Sequence, residues 1–184
     1  MQNTIIYLIG FAGTGKYTIA KEICRLTNAR LVDNHLINNP VFSLIRADGK
    51  KPLPESVWEK TWAIRHIVLD LIKDISPAEF SFVFTNELVD GSSDDEKLFS
   101  EVVELASSRG SKLIPVRLSC DEGELCNRIQ SPDRTTRFKD TNADNARNKI
   151  RSRKVLGIAH PNLLNLDVTH RSALQAAEVI ISSI

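Results

Sequence analysis

The 184-residue chain is poor in cysteine, methionine, tryptophan and tyrosine, with 3, 1, 2 and 2 copies. The cysteines, Cys24, Cys120 and Cys126, are odd in number and show no C-x-x-C spacing. Neither a disulfide framework nor a zinc site is implied, and buried thiols are expected. No apolar run approaches the roughly 18 residues that a membrane span needs. The longest early stretch, Ile5 to Ile9, is too short for a signal peptide and has no basic residues before it. A cytoplasmic protein with no membrane partner is the expectation. An excess of either charge is also missing: 24 Lys and Arg stand against 23 Asp and Glu, a net of +1, alongside 42% hydrophobic residues. That balance excludes an acidic solvating chain and a basic histone-like one, and makes nucleic acid an unlikely partner.

What remains fits one domain over residues 1–184, because domains commonly hold about 100–200 residues. Thr4 to Ile9 is a short β-branched run that reads as a strand. It stops at the glycine-rich Gly10 to Gly15, and Ile19, Ile23 and Leu26 then recur at helical spacing up to Asn28. Further strands are expected over Arg30 to Asp33, Phe80 to Thr85, Leu113 to Leu118 and Leu164 to Val168. A long helix is expected from Glu55 to Ile75 with Val57, Ile64, Val68, Leu71 and Ile75 facing inward. Leu98, Val102, Leu105 and Ala106 mark another that stops at Arg109-Gly110. Weaker helical spacing surrounds Leu125 and Ile129. Thr141 with Asp144 could cap a helix running to Lys154, and Leu174, Ala177, Ile181 and Ile184 line a closing one. Prolines at 40, 52 and 54, with Asp48-Gly49, mark residues 38 to 54 as loop or small lobe.

Five strands alternating with helices predict an α/β fold, a parallel sheet covered on both faces. Ligands in such sheets collect beyond the carboxyl ends of the strands. Gly10 to Thr18, Asp33 to His35, Thr85 to Leu88, Ser119 to Asp121 and Val168 to Arg171 should therefore surround one site.

The first of these carries chemistry. Gly10, Gly15 and Lys16 complete a G-x-x-x-x-G-K phosphate loop, set between a predicted strand and a predicted helix as its mechanism requires. Glycine freedom turns backbone N–H groups inward around phosphate oxygens, the helix N-terminus adds partial positive charge, and Lys16 reaches the β- and γ-phosphates. Gly10, Ala12, Gly13, Thr14, Gly15, Lys16, Tyr17 and Thr18 are thus candidate nucleotide-binding residues. The motif expects Ser or Thr after the lysine to help hold Mg²⁺, and Tyr17 stands there with Thr18 one step, about 100°, further round the helix. A ring-borne hydroxyl cannot take the same place, so the metal would rest on waters and carboxylates.

On these residues the chain resembles the small P-loop phosphotransferases grouped as shikimate-kinase-like and nucleoside-monophosphate-kinase-like, among them chloramphenicol phosphotransferase and gluconate kinase. The resemblance rests on the loop from Gly10 to Thr18, Asp33 ending the second strand, the basic segment Arg128 to Arg137, and Leu166 to Thr169 before the last helix. It implies a three-layer α/β/α fold whose five parallel strands run in the order 2-3-1-4-5. A substrate lobe would span 38–75 and a lid 130–141. It further implies ATP with Mg²⁺ and a small-molecule acceptor. By the same resemblance Asp33 would contact the acceptor hydroxyl or the metal shell, Arg134 and Arg137 would close over the transferring phosphate, and Arg128 would stack on the nucleotide base. With Lys16 these form the catalytic candidates Lys16, Asp33, Arg134 and Arg137.

The alternative for Asp33 is a helix-capping or turn carboxylate, and His35 reads as a solvated loop side chain or as a substrate contact or base. The third strand does not end in the usual aspartate but in Asn86 and Glu87, the one a substrate contact and the other a metal-shell candidate beside Asp33 or a helix-start charge. Trp58, Trp62, Arg65 and His66 on the long helix could wall the acceptor pocket, with ordinary packing as the alternative. Arg147, Arg151 and Lys154 share a helical face that reads first as solvated and secondarily as a contact for an anionic substrate.

The expected activity is transfer of the ATP γ-phosphate to a hydroxyl or phosphate of a small molecule, by a monomer or homodimer. A nucleotide-binding protein with a degenerate metal site and no turnover is the alternative. Residues 128–154 hold nine basic and three acidic side chains, so the near-neutral total conceals a segment of net +6.

Overall fold

Strand β1 (Thr4–Ile9) is buried along its whole length, which suits the middle of a sheet covered on both faces. The computed structural model describes residues 1–45, 53–131 and 142–184 and places β1 there. The other strands are β2 (Arg30–Asp33), β3 (Phe82–Asn86), β4 (Lys112–Ser119) and β5 (Leu164–Asp167). Among the described residues the pairings within the sheet are parallel and its order is β2-β3-β1-β4-β5, as the resemblance implied. Side chains alternate across the pleat, so Ile5, Tyr7 and Ile9 enter one core layer and Ile6 and Leu8 the other.

Helices α1 (Lys16–Thr27) and α7 (Ala173–Ser182) cover the Ile6 and Leu8 face, packing against each other. Helices α3 (Glu55–Asp74) and α4 (Ser93–Arg109) cover the Tyr7 face. Asn28 and Gly110 end α1 and α4 in the left-handed conformation, and Ser172 with Gln175 forms a capping box at the start of α7. Cys24, Cys120 and Cys126 are all free thiols, and burial pushes Cys24 up to about 11 and Cys120 upward as well. Among the described residues no helix is long and apolar enough to cross a membrane.

Three expectations need correction. Helix α2 (Asn34–Phe42) begins before the stretch read as loop or small lobe and runs into it as far as Phe42. Asp33 caps it by accepting the His35 N–H, and burial of Ile37, Asn38 and Phe42 outweighs Pro40 in its second half. Helix α3 is turned from the expected face. Thr61, Arg65, Leu69 and Ile72 point inward, while Leu71 and Ile75 are 50% and 75% exposed. An arginine on the inward face is invisible to a search for apolar periodicity, and its partner Glu101 lies on α4. Helix α7 is likewise rotated, burying Ala176, Ala177 and Ile180 and leaving Leu174 exposed. Two adjacent alanines let it approach α1 closely.

Helix α5 (Glu122–Ile129) is capped by Asp121, and α6 (Ala143–Ser152) by Asn142 rather than by Thr141 with Asp144. Thr141, the other expected cap, lies outside the described residues, as does the turn signal Asp48-Gly49.

Candidate functional site

The chain leaves β1 through a loop whose shape depends on two left-handed glycines, Gly13 at φ 91° and Gly15 at φ 82°. Gly15 is the N-cap of α1 and supplies no side chain, and the first turn of α1 holds no acidic residue. The first N–H groups of α1 and its positive dipole end are thus presented without a carboxylate to neutralise them. Lys16 lies over the same turn and donates to Gly10 O at 2.7 Å and Phe11 O at 2.9 Å. Gly10 and Thr14 shape the loop from within: a Cβ on Gly10 would lie 2.8 Å from Leu118 O, and the Thr14 hydroxyl donates to Phe11 O.

Gly13 is the least replaceable position. Its Cβ would fall 2.9 Å from both the carbonyl oxygen and Cγ of Leu125, at a φ that L side chains rarely adopt. A Gly13→Ala chain is expected to lose about 1–3 kcal/mol from backbone strain alone. The expected readout is a lowered melting temperature with weakened nucleotide binding, and an unchanged melting temperature would count against this loop geometry.

A cavity of about 450 Å³ opens above the loop. From the loop and α1 come Ala12, Gly13, Gly15, Lys16, Tyr17, Thr18 and Lys21, and from the end of β2 come Asp33, Asn34 and His35. Thr85, Asn86 and Glu87 enter from the end of β3, and Arg128 and Ser131 from the end of α5. The strand-end rule thus brings most sequence-predicted residues together.

Asp33 is 2% exposed and held from two sides: Oδ1 accepts the His35 N–H at 2.9 Å, and Oδ2 accepts the Thr85 hydroxyl at 2.8 Å. It is therefore a helix cap and a cavity residue at once. Beside it, the Asn86 side-chain oxygen Oδ1 accepts from the buried Tyr7 hydroxyl at 3.0 Å. Burial raises the Tyr7 phenol well above its ordinary range, so it stays protonated and serves as a donor. Glu87 accepts the Ala12 N–H at 2.9 Å and pairs with the Lys149 ammonium from α6. Its negative charge is thus engaged by two donors. Asp33 has one donor on each oxygen, so each keeps a lone pair that could accept from a metal-bound water.

Arg128 overhangs the loop, with Nη1 4.0 Å from where a Gly15 Cβ would stand. Its orientation is fixed by Glu124 at 2.7 Å and by the carbonyls of Val168 and Thr169 at 2.9 and 3.0 Å. The stretch Val168 to Arg171 thus anchors Arg128. Further out, Asp167, His170 and Arg171 edge a separate hollow. There the Thr169 hydroxyl and N–H hold the Asp167 carboxyl below its usual range.

Other candidates fall elsewhere. Arg65 is 3% exposed, bonded to Glu101 at 3.0 Å and to Leu98 O, and does not line the cavity. The reading of Arg65 as a substrate contact is corrected by this packing, in which the guanidinium ties α3 to α4. Trp58 packs edge-on against Phe42, and Trp62 lies beside His66 with Lys97 over its ring, so none of these walls the cavity. Arg147 and Arg151 pair with Glu122 across α5 and α6. Arg134 and Arg137 lie outside the described residues, as do positions 132–141 of the expected lid. Lys21 and Ser131 were missed. Lys21 stands one helical turn beyond Tyr17, with its ammonium 5.8 Å from the Tyr17 ring centroid, a spacing the sequence does contain.

No family model and no curated protein matches the chain at the sequence level. Solved structures do. A gluconokinase from Sinorhizobium meliloti 1021 aligns with 98% of this chain and 91% of its own at a TM-score of 0.62 and 15% identity. A sugar kinase from Janibacter sp. HTCC2649 aligns over 98% and 93% at 0.61 and 12%. The Mycobacterium tuberculosis APS kinase, solved with AMPPNP and APS, aligns over 99% and 97% at 0.56 and 14%. Strand order, phosphate loop and neighbours agree that this chain has the fold of the P-loop small-molecule kinases.

Proposed function

We propose that the chain is an ATP-dependent phosphotransferase that moves the γ-phosphate to a hydroxyl or phosphate of a small molecule. One observation carries this reading: a single cavity joins the phosphate loop with Lys16 to the Asp33 carboxylate and the polar ends of β2 and β3. An anion site and a proton-accepting group open onto the same space, as in-line phosphoryl transfer requires.

In this reading the N–H groups of Gly13 to Lys16 and the Lys16 ammonium hold the triphosphate, and Arg128 covers the nucleotide side. Asp33 orients the acceptor hydroxyl and receives its proton as the new O–P bond forms and the bridging O–P bond to the β-phosphate breaks. Thr85 keeps that carboxylate in position, while Asn86 and His35 line the acceptor side. Mg²⁺, bound with ATP, would neutralise charge on the phosphate oxygens, and Asp33 with the Thr18 hydroxyl are the groups suited to hold its water shell. Arg134 and Arg137 are the proposed further cations, on the family resemblance alone.

A second reading, nucleotide binding without turnover, is favoured by Tyr17 at the position of the usual metal-ligand hydroxyl and by the engaged carboxylate of Glu87. The experiment is to incubate the chain with Mg-ATP and a panel of sugars, sugar acids, alcohols and nucleotides, following ADP release and product mass. Turnover with one class is expected. Tight ATP binding that is indifferent to Mg²⁺, with no product from any acceptor, would overturn the kinase reading. In that case Tyr17→Ser is expected to introduce Mg²⁺ dependence into the binding.

A further inference from the structure

Tyr7 is fully buried in β1, stacked on Phe99 and edge-on to Phe84, with ring centroids 5.9 and 6.0 Å away. Packing on both sides holds the ring, so its hydroxyl keeps one direction. Among the described residues the one hydrogen-bond acceptor for that hydroxyl is Asn86 Oδ1. The Arg65 guanidinium is the charge that acts most strongly on the phenol, and a guanidinium only donates, so it cannot take the phenolic proton. Turning the Asn86 amide over would set its N–H groups against a hydroxyl whose own proton then had no acceptor. That would leave an unsatisfied donor in the core, so the network fixes Oδ1 inward. Asn86 itself is 3% exposed and lines the cavity, and among the described residues nothing accepts from its Nδ2.

We infer that Tyr7 is a positioning residue: it holds the Asn86 amide so that β3 ends in an N–H2 group turned to the cavity, where it selects an oxygen atom of the acceptor molecule. That the molecule bound there is a phosphoryl acceptor rests on the proposed kinase activity, whereas the orientation of the amide does not. Asp33, paired in register with Thr85 one residue before Asn86, has the complementary character, since an ionised carboxylate only accepts. The ends of β2 and β3 thus ask two different things of one ligand, a proton for Asp33 and a lone pair for Asn86. A molecule that puts an ammonium group where the lone pair belongs sets donor against donor and leaves a nearly enclosed amide unpaired. The class selected is therefore an alcohol whose second polar group is oxygen rather than nitrogen.

Orientation and selection are tested separately. In NMR spectra of the ligand-free full chain, the Tyr7 hydroxyl proton is expected to be visible and slow to exchange, and the Asn86 Hδ2 protons to exchange with water. A hydroxyl proton lost to rapid exchange, beside Asn86 amide protons shielded from water, would show the amide turned over and overturn the inference whatever the chain phosphorylates. With an acceptor that the wild type turns over, Tyr7→Phe removes only the hydroxyl. It is expected to raise the acceptor KM about tenfold or more while the ATP KM stays within about twofold. Asn86→Ala is expected to raise the acceptor KM similarly, and adding Tyr7→Phe to it to change little more, a non-additivity that mere loss of packing does not produce. Asn86→Asp keeps an acceptor for Tyr7 and reverses the cavity face. Among analogues of the acceptor with one oxygen replaced by an amine, the wild type is expected to reject one by about tenfold or more, and Asn86→Asp to prefer that one to the parent. Circular dichroism melts establish that each variant is folded at the assay temperature. An acceptor KM that Tyr7→Phe leaves unchanged, additive losses, or an Asn86→Asp chain that keeps the wild-type order would each overturn the positioning role while the kinase activity stood. Absence of turnover with every acceptor would instead remove the kinase reading, and the NMR result alone would then decide the orientation.

Discussion

A Lys16→Ala chain is expected to lose about a hundredfold to a thousandfold in turnover with any acceptor that the wild type phosphorylates, the range seen when one preorganised charge-stabilising donor is removed. The ammonium is fixed over the first turn of α1 by two carbonyls of its own loop, so it is held where phosphate oxygens would gather. Loss of those two bonds costs stability as well, on the order of 1 kcal/mol each, because the carbonyls are only part-buried and water can replace the donor. The measurement is therefore steady-state rate beside a thermal melt. Equal rates for wild type and variant would end the kinase reading, whereas a rate collapse with a melt lowered by only a few degrees would support it.

Arg65→Ala is expected to behave in the opposite way. The guanidinium is almost fully enclosed, and its partner Glu101 has only 14% of its side chain exposed. Removing one member of such a pair leaves the other carboxylate without its main partner, at a cost of about 3–5 kcal/mol. For a chain of this length the melting temperature would fall by roughly 10 °C. His66, which also reaches Glu101 at 3.1 Å, is half exposed and compensates weakly. Nucleotide affinity of the folded fraction is expected to stay within a factor of two of wild type. An unchanged melt combined with a large rise in acceptor KM would reinstate Arg65 as a substrate contact.

These two residues also show where a sequence can and cannot be read. Lys16 is legible because its role is written locally: a strand, a glycine loop and a helix in fixed succession leave one place for the ammonium. The parallel sheet and the cavity at its strand ends follow from alternation of apolar runs with helices, the strand order from the family resemblance, and Asp33, His35, Asn86 and Glu87 all fall where the strand-end rule puts them. Arg65 is misread because its meaning depends on α4, more than thirty residues later in the chain. Viewed alone, α3 offers an apolar stripe over Ile64, Val68 and Leu71, and only the partner carboxylate shows that the buried line is Thr61, Arg65, Leu69 and Ile72. The same holds for Glu87. Its proximity to a strand end suggests metal binding, while its neutralisation by the Ala12 amide and Lys149 belongs to tertiary structure. Lys21 lies outside the motif, although the helical repeat carries it onto the face of Tyr17.

Burial of β1 between β3 and β4 also bears on how the protein comes into being. Ile5 is registered against Phe82 on one side and Leu113 on the other, so the strand that launches the phosphate loop gains its neighbours about 80 and about 110 residues after it is made. Until β4 has emerged during synthesis, the six-residue apolar strand has no complete sheet to enter, and it is exposed to any chaperone or to another nascent copy. The segment that would engage the nucleotide is therefore translated well before the strands that complete its place in the sheet. Truncations ending before residue 119 are accordingly expected to give aggregates rather than a smaller nucleotide-binding fragment.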